Sequence, residues 1–375
     1  MRQHVKRVGD RQARRGGPQI GRFARVARIE RYLATLDHEE LYVRRGPRSG
    51  LNTIVAVHST LRGPSLGGCR MWTYDDNRAA IRDALRLSEG MTYKSAVAGL
   101  PLGGGKGVIV VKPDEPLDAK RRRAALLDFG ETVERLGGSY VTAEDVGTST
   151  RDMTVIAKTT SHVSGLSRRV GGSGDPSPFT ALGVLHAIEA TVERTFDTPS
   201  LKGRTAAVVG LGHVGLRVAR LLARGGAKRV VAGIDPTKKA EAEKLGARWT
   251  TPAKAMTAAV DVLVPCALGG VLDHESVPRL QAPAVAGAAN NQLASADVAD
   301  LLREYGVLWA PDFVANAGGI VNIAVEFDSR GYDPDRAKSR TADIGNTLRR
   351  VYDDAASAGT TPLTAAMALA ESNLR

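Results

Sequence analysis

Two lysines twelve residues apart, Lys94 and Lys106, bracket the glycine-rich run GLPLGGG, and Asp145 follows in the separate stretch SYVTAEDVG. These residue types suit one kind of chemistry. A cation neutralises a substrate carboxylate, an amine acts as a base near neutral pH, and a carboxyl group passes protons. Burial and neighbouring cations lower a lysine's pKa far enough for that task. A plainer reading competes, since most lysines are solvated surface groups. Asp145, followed by Gly147, Thr148 and Ser149, also has the form of a helix N-cap. The glycines weigh against the surface reading, because an ordinary surface would not need them.

A second cluster serves a different need. Gly210, Gly212 and Gly215 directly follow the apolar run AAVV and open a helical pattern, with Leu211, His213 and Val214 between them. The first glycine of such a motif permits a tight turn, the second admits a pyrophosphate to the backbone, and the third lets helix and strand pack closely. The helix start offers free amide donors to phosphates. Asp235 lies twenty residues past Gly215, where a carboxylate accepts from ribose hydroxyls and repels a 2′-phosphate, selecting NAD over NADP. Lys238 and Lys239 soften that selection. The alternative is a nucleotide-free domain whose glycines serve packing alone.

These groups need elements to hold them. Residues 51–58 read as a strand and residues 75–91 as a helix, with Ala80, Ile81, Ala84, Leu85 and Ser88 on one face and Lys94 just beyond its end. The glycine run reads as a turn leading into a strand over 108–111, with Lys106 at its edge. From about residue 178 short apolar strands alternate with helices, the mark of a parallel sheet covered on both faces, whose ligands bind at the carboxyl ends of the strands. From Ala337 the chain reads as helical, able to pack back on the first domain.

At 375 residues, with 43% hydrophobic and 25% charged, the chain is long enough for two domains, and no apolar run is long enough to span a membrane. Only Cys69 and Cys266 occur, without metal-ligand spacing, so neither disulfides nor a metal are expected, and a reducing cytoplasmic setting is the default. The net charge of +12 suggests nucleic acid until it is divided, because residues 1–31 supply +8 of it. That arm reads as a transit peptide, a polyanion-binding tail or a solvated extension, and the last is preferred because nothing beyond charge supports the other two. Nucleic acid is therefore not an expected partner.

The motifs GPSLGGCRMWTY, SEGMTYKSAVAGLPLGGGKGVIV, GGSYVTAEDVGTSTRDM, SGDPSPFTALGV, PCALGG, GAANNQL and APDFVANAGGIVN occur in order over about residues 41–365. Together they resemble the glutamate, leucine, phenylalanine and valine dehydrogenases, and most of all the leucine dehydrogenases. The resemblance implies a two-domain α/β fold: an N-terminal α/β substrate and oligomerisation domain, and a Rossmann-type doubly wound NAD-binding domain. The boundaries expected are an arm at 1–31, the substrate domain at 32–165 with about 340–375, and the NAD domain at 166–339. It also implies a homo-oligomer, with an amino acid, its 2-oxo acid and ammonia as small-molecule partners. By the resemblance, Lys94 binds the substrate carboxylate with Gly67 and Gly68 beside it, Lys106 activates water, Asp145 shuttles protons, and Asn290 helps hold the substrate near the nicotinamide. Thr180, Ala267 and the loop at Cys266 join the glycine motif on the cofactor side, Cys266 being read as a small buried residue.

Glutamate dehydrogenases carry a lysine before the GG pair for the distal carboxylate, whereas this chain has Leu66, so acidic substrates are disfavoured. The family's side-chain pocket matches Ala143, Ile320 and Ile323, all aliphatic. TAEDVG and the large Ile320 favour leucine, valine or isoleucine over phenylalanine or another aromatic amino acid. Three features depart from the family pattern: the arm, His213 at a variable place, and Cys69 where threonine is common. A rival of another class, a non-catalytic dinucleotide-sensing or nucleic-acid-binding protein, does not explain why both lysines and Asp145 are present.

Overall fold

The computed structural model describes residues 37–113, 115 and 117–375, so the basic arm lies outside the described residues. Glu39–Arg375 forms one compact unit. Its first sheet has strands β1 (Glu40–Arg45), β2 (Asn52–Ser59), β3 (Ser65–Thr73), β4 (Gly103–Val111) and β5 (Tyr140–Glu144), in the order β1-β2-β4-β3-β5. β1 and β2 pair antiparallel, as do β2 and β4, while β3 pairs parallel with β4 and with β5. Helix α1 (Asn77–Val97) makes the crossover from β3 to β4, and α2 (Ala119–Glu134) the one from β4 to β5.

The structure corrects two local expectations. First, α1 runs six residues past the expected end, so Lys94 sits in its last turn rather than beyond it. Its buried face continues through Thr92, Ser95, Ala96 and Val97. The hydroxyls disguise the apolar period in the sequence, but they are satisfied in place: Ser95 Oγ donates to Gly103 O at 3.3 Å. Second, in GLPLGGGKG only Gly99 stands in a turn, with φ 66°, while Gly103, Gly104, Gly105 and Gly107 are strand. Lys106 lies within β4, paired with Ala56 of β2, and β4 has neighbours on both sides. The glycines are needed because both faces of this strand are covered at short range. A Cβ at Gly104 would fall 2.1 Å from the backbone nitrogen of Thr92 on α1, and one at Gly107 would fall 2.4 Å from the Phe129 ring of α2.

The remaining main helices are α3 (Thr150–Ile156), α4 (Ser177–Phe196), α5 (His213–Arg224), α6 (Asp312–Ala315), α7 (Gly318–Ala324), α8 (Pro334–Ala358) and α9 (Pro362–Leu374). The second sheet consists of β6 (Thr205–Val209), β7 (Lys228–Ala232), β8 (Arg248–Thr250), β9 (Val262–Pro265), β10 (Ala284–Val285) and β11 (Leu308–Trp309). Its order, β11-β10-β9-β6-β7-β8, is doubly wound, and every neighbouring pair is parallel. Strand β8 was not anticipated, because three partly exposed edge residues carry no buried-strand pattern. The order reverses between β6 and β9, which opens a crevice at their carboxyl ends.

The C-terminal helices fold back as expected. Asn373 on α9 donates to Ala96 O of α1 at 2.9 Å, and Thr191 of α4 and Tyr352 of α8 share a buried hydrogen bond of 2.8 Å. One apolar cluster joins Leu66 and Val97 near the first sheet to Val184 and Ile188 on α4, Val208 and Val264 in the second sheet, and Leu348 on α8. Among the described residues no helix is long and apolar enough to cross a membrane.

The packing of β4 is testable by a pair of substitutions in the same region. Gly104→Ala is expected to destabilise the fold by about 1–3 kcal/mol through overpacking. Gly90→Ala, in α1 with nothing within 4 Å of its added methyl, is expected to stabilise it by about 0.5–1 kcal/mol. Chemical denaturation midpoints of the two variants should therefore move in opposite directions.

Candidate active site

A cleft of about 890 Å³ lies between the first sheet, the start of α5, the loop after β10 and helices α6, α7 and α9. Lys94, Lys106 and Asp145 all line it. Lys106 is only 5% exposed, and its ammonium is ion-paired with Asp145 Oδ2. Arg70 reaches the same oxygen through Nε at 3.2 Å. Burial pushes the Asp145 carboxyl up, but the charges of Lys106 and Arg70 outweigh it and hold the group at about 2. Gly68 makes room for this arrangement, since a Cβ there would lie 2.6 Å from that of Asp145. Asp145 does not cap the following helix. Ser149 does, accepting from Asp152 N.

Lys94 approaches from α1 and meets the loop after β10. Its ammonium donates to Asn290 Oδ1 at 3.3 Å, and Asn316 Nδ2 donates to the same oxygen at 2.9 Å. The loop is stiff. Asn291 has φ 51°, a left-handed conformation that asparagine tolerates better than most residues, and its N–H donates to the Asp312 carboxylate. Gln292, fully buried, donates to Gly287 O and Ala289 O and accepts from the Trp309 indole, all at 3.1 Å. Burial lowers Lys94 to about 8, assisted by the nearby Lys106 ammonium and opposed by the Asp312 carboxylate.

The expected pocket residues Leu66, Gly67, Gly68, Ala143, Ile320 and Ile323 line the same cleft. Met91, Phe313 and Met367 add apolar wall that no sequence pattern had marked. Arg70 and Asn316 were also missed, although both stand in motifs already singled out. Strand alternation puts Leu66, Gly68 and Arg70 on one face of β3, a signal that would have found Arg70.

The cofactor-side residues divide. Thr180, His213, Val214 and Asn290 line the cleft, while Gly210, Leu211, Gly212, Gly215, Asp235, Cys266 and Ala267 lie outside its lining. The turn between β6 and α5 fits a dinucleotide. Gly210 has φ 106°, and a Cβ there would lie 2.8 Å from Ala267 N. At Gly212 a Cβ would meet nothing within 4 Å, and no side chain caps the start of α5, so the outer side of the turn is open to phosphates. Asp235 stands exposed past the end of β7, turned onto Thr237 N and Oγ1 at 2.9 and 2.6 Å. Cys266 packs against this turn, and burial pushes its thiol up to about 12.

Residues 39–162 match the model of the Glu/Leu/Phe/Val dehydrogenase dimerisation domain, and residues 237–374 the model described as Glutamate/Leucine/Phenylalanine/Valine dehydrogenase. Residues 185–270 match the NAD-binding domain of D-isomer-specific 2-hydroxyacid dehydrogenases. Leucine dehydrogenase of Bacillus subtilis (strain 168) is 42% identical over 345 residues, covering 92% of this chain and 93% of its own. L-tryptophan dehydrogenase of Nostoc punctiforme is 39% identical over 341 residues, covering 90% of this chain and 94% of its own. The crystal structure of an L-tryptophan dehydrogenase from Nostoc punctiforme superposes with a TM-score of 0.78 at 36% identity, covering 92% of this chain and 98% of that one.

The lowered Lys94 has a definite sign. The group is a cation below about 8 and neutral above it. Competitive inhibition by 4-methylpentanoate, a carboxylate without an amine, is therefore expected to weaken by about tenfold per pH unit above that value. Lys94→Gln should flatten the dependence; an unchanged slope in the variant would assign the titration to another group.

Proposed function

Because the chain belongs to the Glu/Leu/Phe/Val dehydrogenase family and is an NAD-dependent oxidoreductase acting on amino acids, we propose that its preferred substrate is a branched-chain L-amino acid: leucine, valine or isoleucine. The reaction proposed is reversible: amino acid, NAD⁺ and water give the 2-oxo acid, ammonium, NADH and a proton. The observation that carries it is the single cleft in which Lys94, Lys106 and Asp145 face an aliphatic wall that includes Leu66, Ala143, Ile320 and Ile323.

Lys94 holds the substrate α-carboxylate, with Asn290 beside it. The amide of Asn290 is oriented for this, since its oxygen already takes two donors and its Nδ2 remains to donate. The turn at Gly210–Gly215 and Asp235 would hold NAD, which would supply the hydride acceptor for the substrate α-carbon. Lys106, as a neutral amine, takes a proton from the water that adds to the resulting iminium carbon. Asp145 relays that proton from Lys106 to the departing nitrogen, and as the C–N bond breaks Lys106, neutral again, takes the hydroxyl proton, so that ammonia leaves as the carbonyl forms. The cleft must close over its apolar walls to exclude bulk water from these transfers. Leu66 leaves a second substrate carboxylate without a cation, which disfavours glutamate. Under the same reading residues 166–339 carry the nucleotide, the chain works as a cytoplasmic homo-oligomer, and phenylalanine is the principal alternative substrate.

NADH formation measured with leucine, valine, isoleucine, phenylalanine, tryptophan and glutamate tests the substrate. A branched-chain preference without glutamate activity is expected, whereas an aromatic preference would overturn the reading of the pocket. Ile320→Ala should raise kcat/KM for phenylalanine relative to leucine by roughly tenfold or more, the scale of a few methylenes in an apolar pocket. Lys106→Ala should lower kcat at least about a hundredfold; turnover within a few-fold of the parent enzyme would remove Lys106 from the chemistry.

A further inference from the structure

Arg70 belongs to no role assigned so far, yet it is the second cation on Asp145. Its guanidinium bridges two carboxylates, with Nε to Asp145 Oδ2 at 3.2 Å and Nη1 to Asp83 Oδ2 at 2.9 Å. Asp83, on α1, is itself fixed by the Tyr74 hydroxyl at 2.7 Å and by Arg86 Nη2 at 3.0 Å. A chain of bonds therefore runs from α1 through Arg70 on β3 to the end of β5, and Lys106 on β4 completes it.

We infer that Arg70 is a positioning residue that aims the Asp145 carboxylate at the reacting nitrogen and keeps it anionic between proton transfers, when Lys106 is neutral. The inference rests on the acid–base reading of Lys106 and Asp145. A base must spend part of each cycle neutral, and for that interval Lys106 is no counter-charge. A half-buried carboxylate left with a neutral amine would retain a proton instead of passing it on, and the relay would stop. Arginine stays charged throughout the working pH range, and its planar fork can hold two carboxylates in fixed directions, which a lysine's point charge cannot. Asp83 locks that fork from behind.

The other groups facing Asp145 do not substitute for it. Cys69 on β3 and Tyr140 on β5 are pushed well above their ordinary ranges by burial and remain neutral. Lys94 on α1 is occupied by Asn290 and, on the proposed reading, by the substrate carboxylate. Tyr74, Asp83 and Arg86 reach Asp145 only through Arg70. Removing a fixed positive charge favours the protonated form of the Lys106–Asp145 pair, so the pH at which the pair loses its working proton must rise.

The test is the pH dependence of kcat for oxidative deamination in the parent enzyme, Arg70→Met and Arg70→Lys, with melting temperature and NAD binding as controls of folding. Arg70→Met should move the ascending limb at least about one pH unit toward alkali and lower kcat near neutrality roughly tenfold or more. Arg70→Lys, which keeps the charge but loses the fork, should lower kcat while moving the limb less. If Arg70→Met does not fold, Arg70→Gln, which retains a donor for Asp83 without the charge, carries the same expectation. A folded, charge-free variant whose limb coincides with that of the parent overturns the inference, as does an Arg70→Lys limb displaced as far as that of Arg70→Met. If instead Lys106→Ala retains the parent kcat, the acid–base reading itself falls.

Discussion

A buried lysine on the central strand of a five-stranded sheet, paired with a partly exposed aspartate just past an edge strand, sets the terms for the rest of this structure. Moving two charges out of water costs several kcal/mol per ion unless geometry and further partners compensate. Lys106 and Asp145 have both: the pair is direct, and Arg70 supplies a third charge from β3. The position itself requires β4 to be central, with β2 on one side and β3 on the other. A central strand bearing a lysine can be covered on both faces only if its other residues leave space, which is why glycine recurs before and after Lys106.

The same cleft gives the two lysines different environments. Lys106 is neutralised by a carboxylate in contact. Lys94 has an amide oxygen as its hydrogen-bond partner and a buried Asp312 further off, so desolvation wins and its ammonium is destabilised. A group in that state gains from an incoming carboxylate, whereas Lys106 already has its anion. Asymmetry between two like residues thus follows from what lies opposite each one. For Lys94 the opposite wall comes from the loop after β10, fixed by Asn316, Gln292 and Trp309. The cleft is consequently built by both sheets, and neither carries a complete set of polar groups.

Much of this was legible without coordinates. The three glycines after an apolar strand and the aspartate twenty residues on announce a nucleotide turn, and the strand–helix alternation announces a parallel sheet. The motif set also indicated the family, which the matches over residues 39–162 and 237–374 bear out. The end of α1 was not legible, because Thr92 and Ser95 are buried polar residues whose hydroxyls are satisfied only after folding. The glycine run was misread for a related reason. Glycine marks a turn when the backbone must take positive φ, and a covered strand when a neighbour comes close, and residue type alone does not separate the two.

By itself, the sequence determined the inventory: a three-glycine turn after an apolar strand, two lysines and an aspartate beside a glycine-rich run, and an aliphatic residue before the GG pair. These follow from local spacing and residue chemistry, which survive being read along a line. Only the tertiary structure decided who partners whom. Arg70 and Asp145 are separated by 75 residues in the chain and Lys94 and Asn290 by 196, so their contacts depend on strand order and on where the second sheet's loop falls against α1. Electrostatic character depends on distance and burial rather than on sequence separation, and for that reason the division between a paired lysine and a desolvated one appears only when the chain is folded.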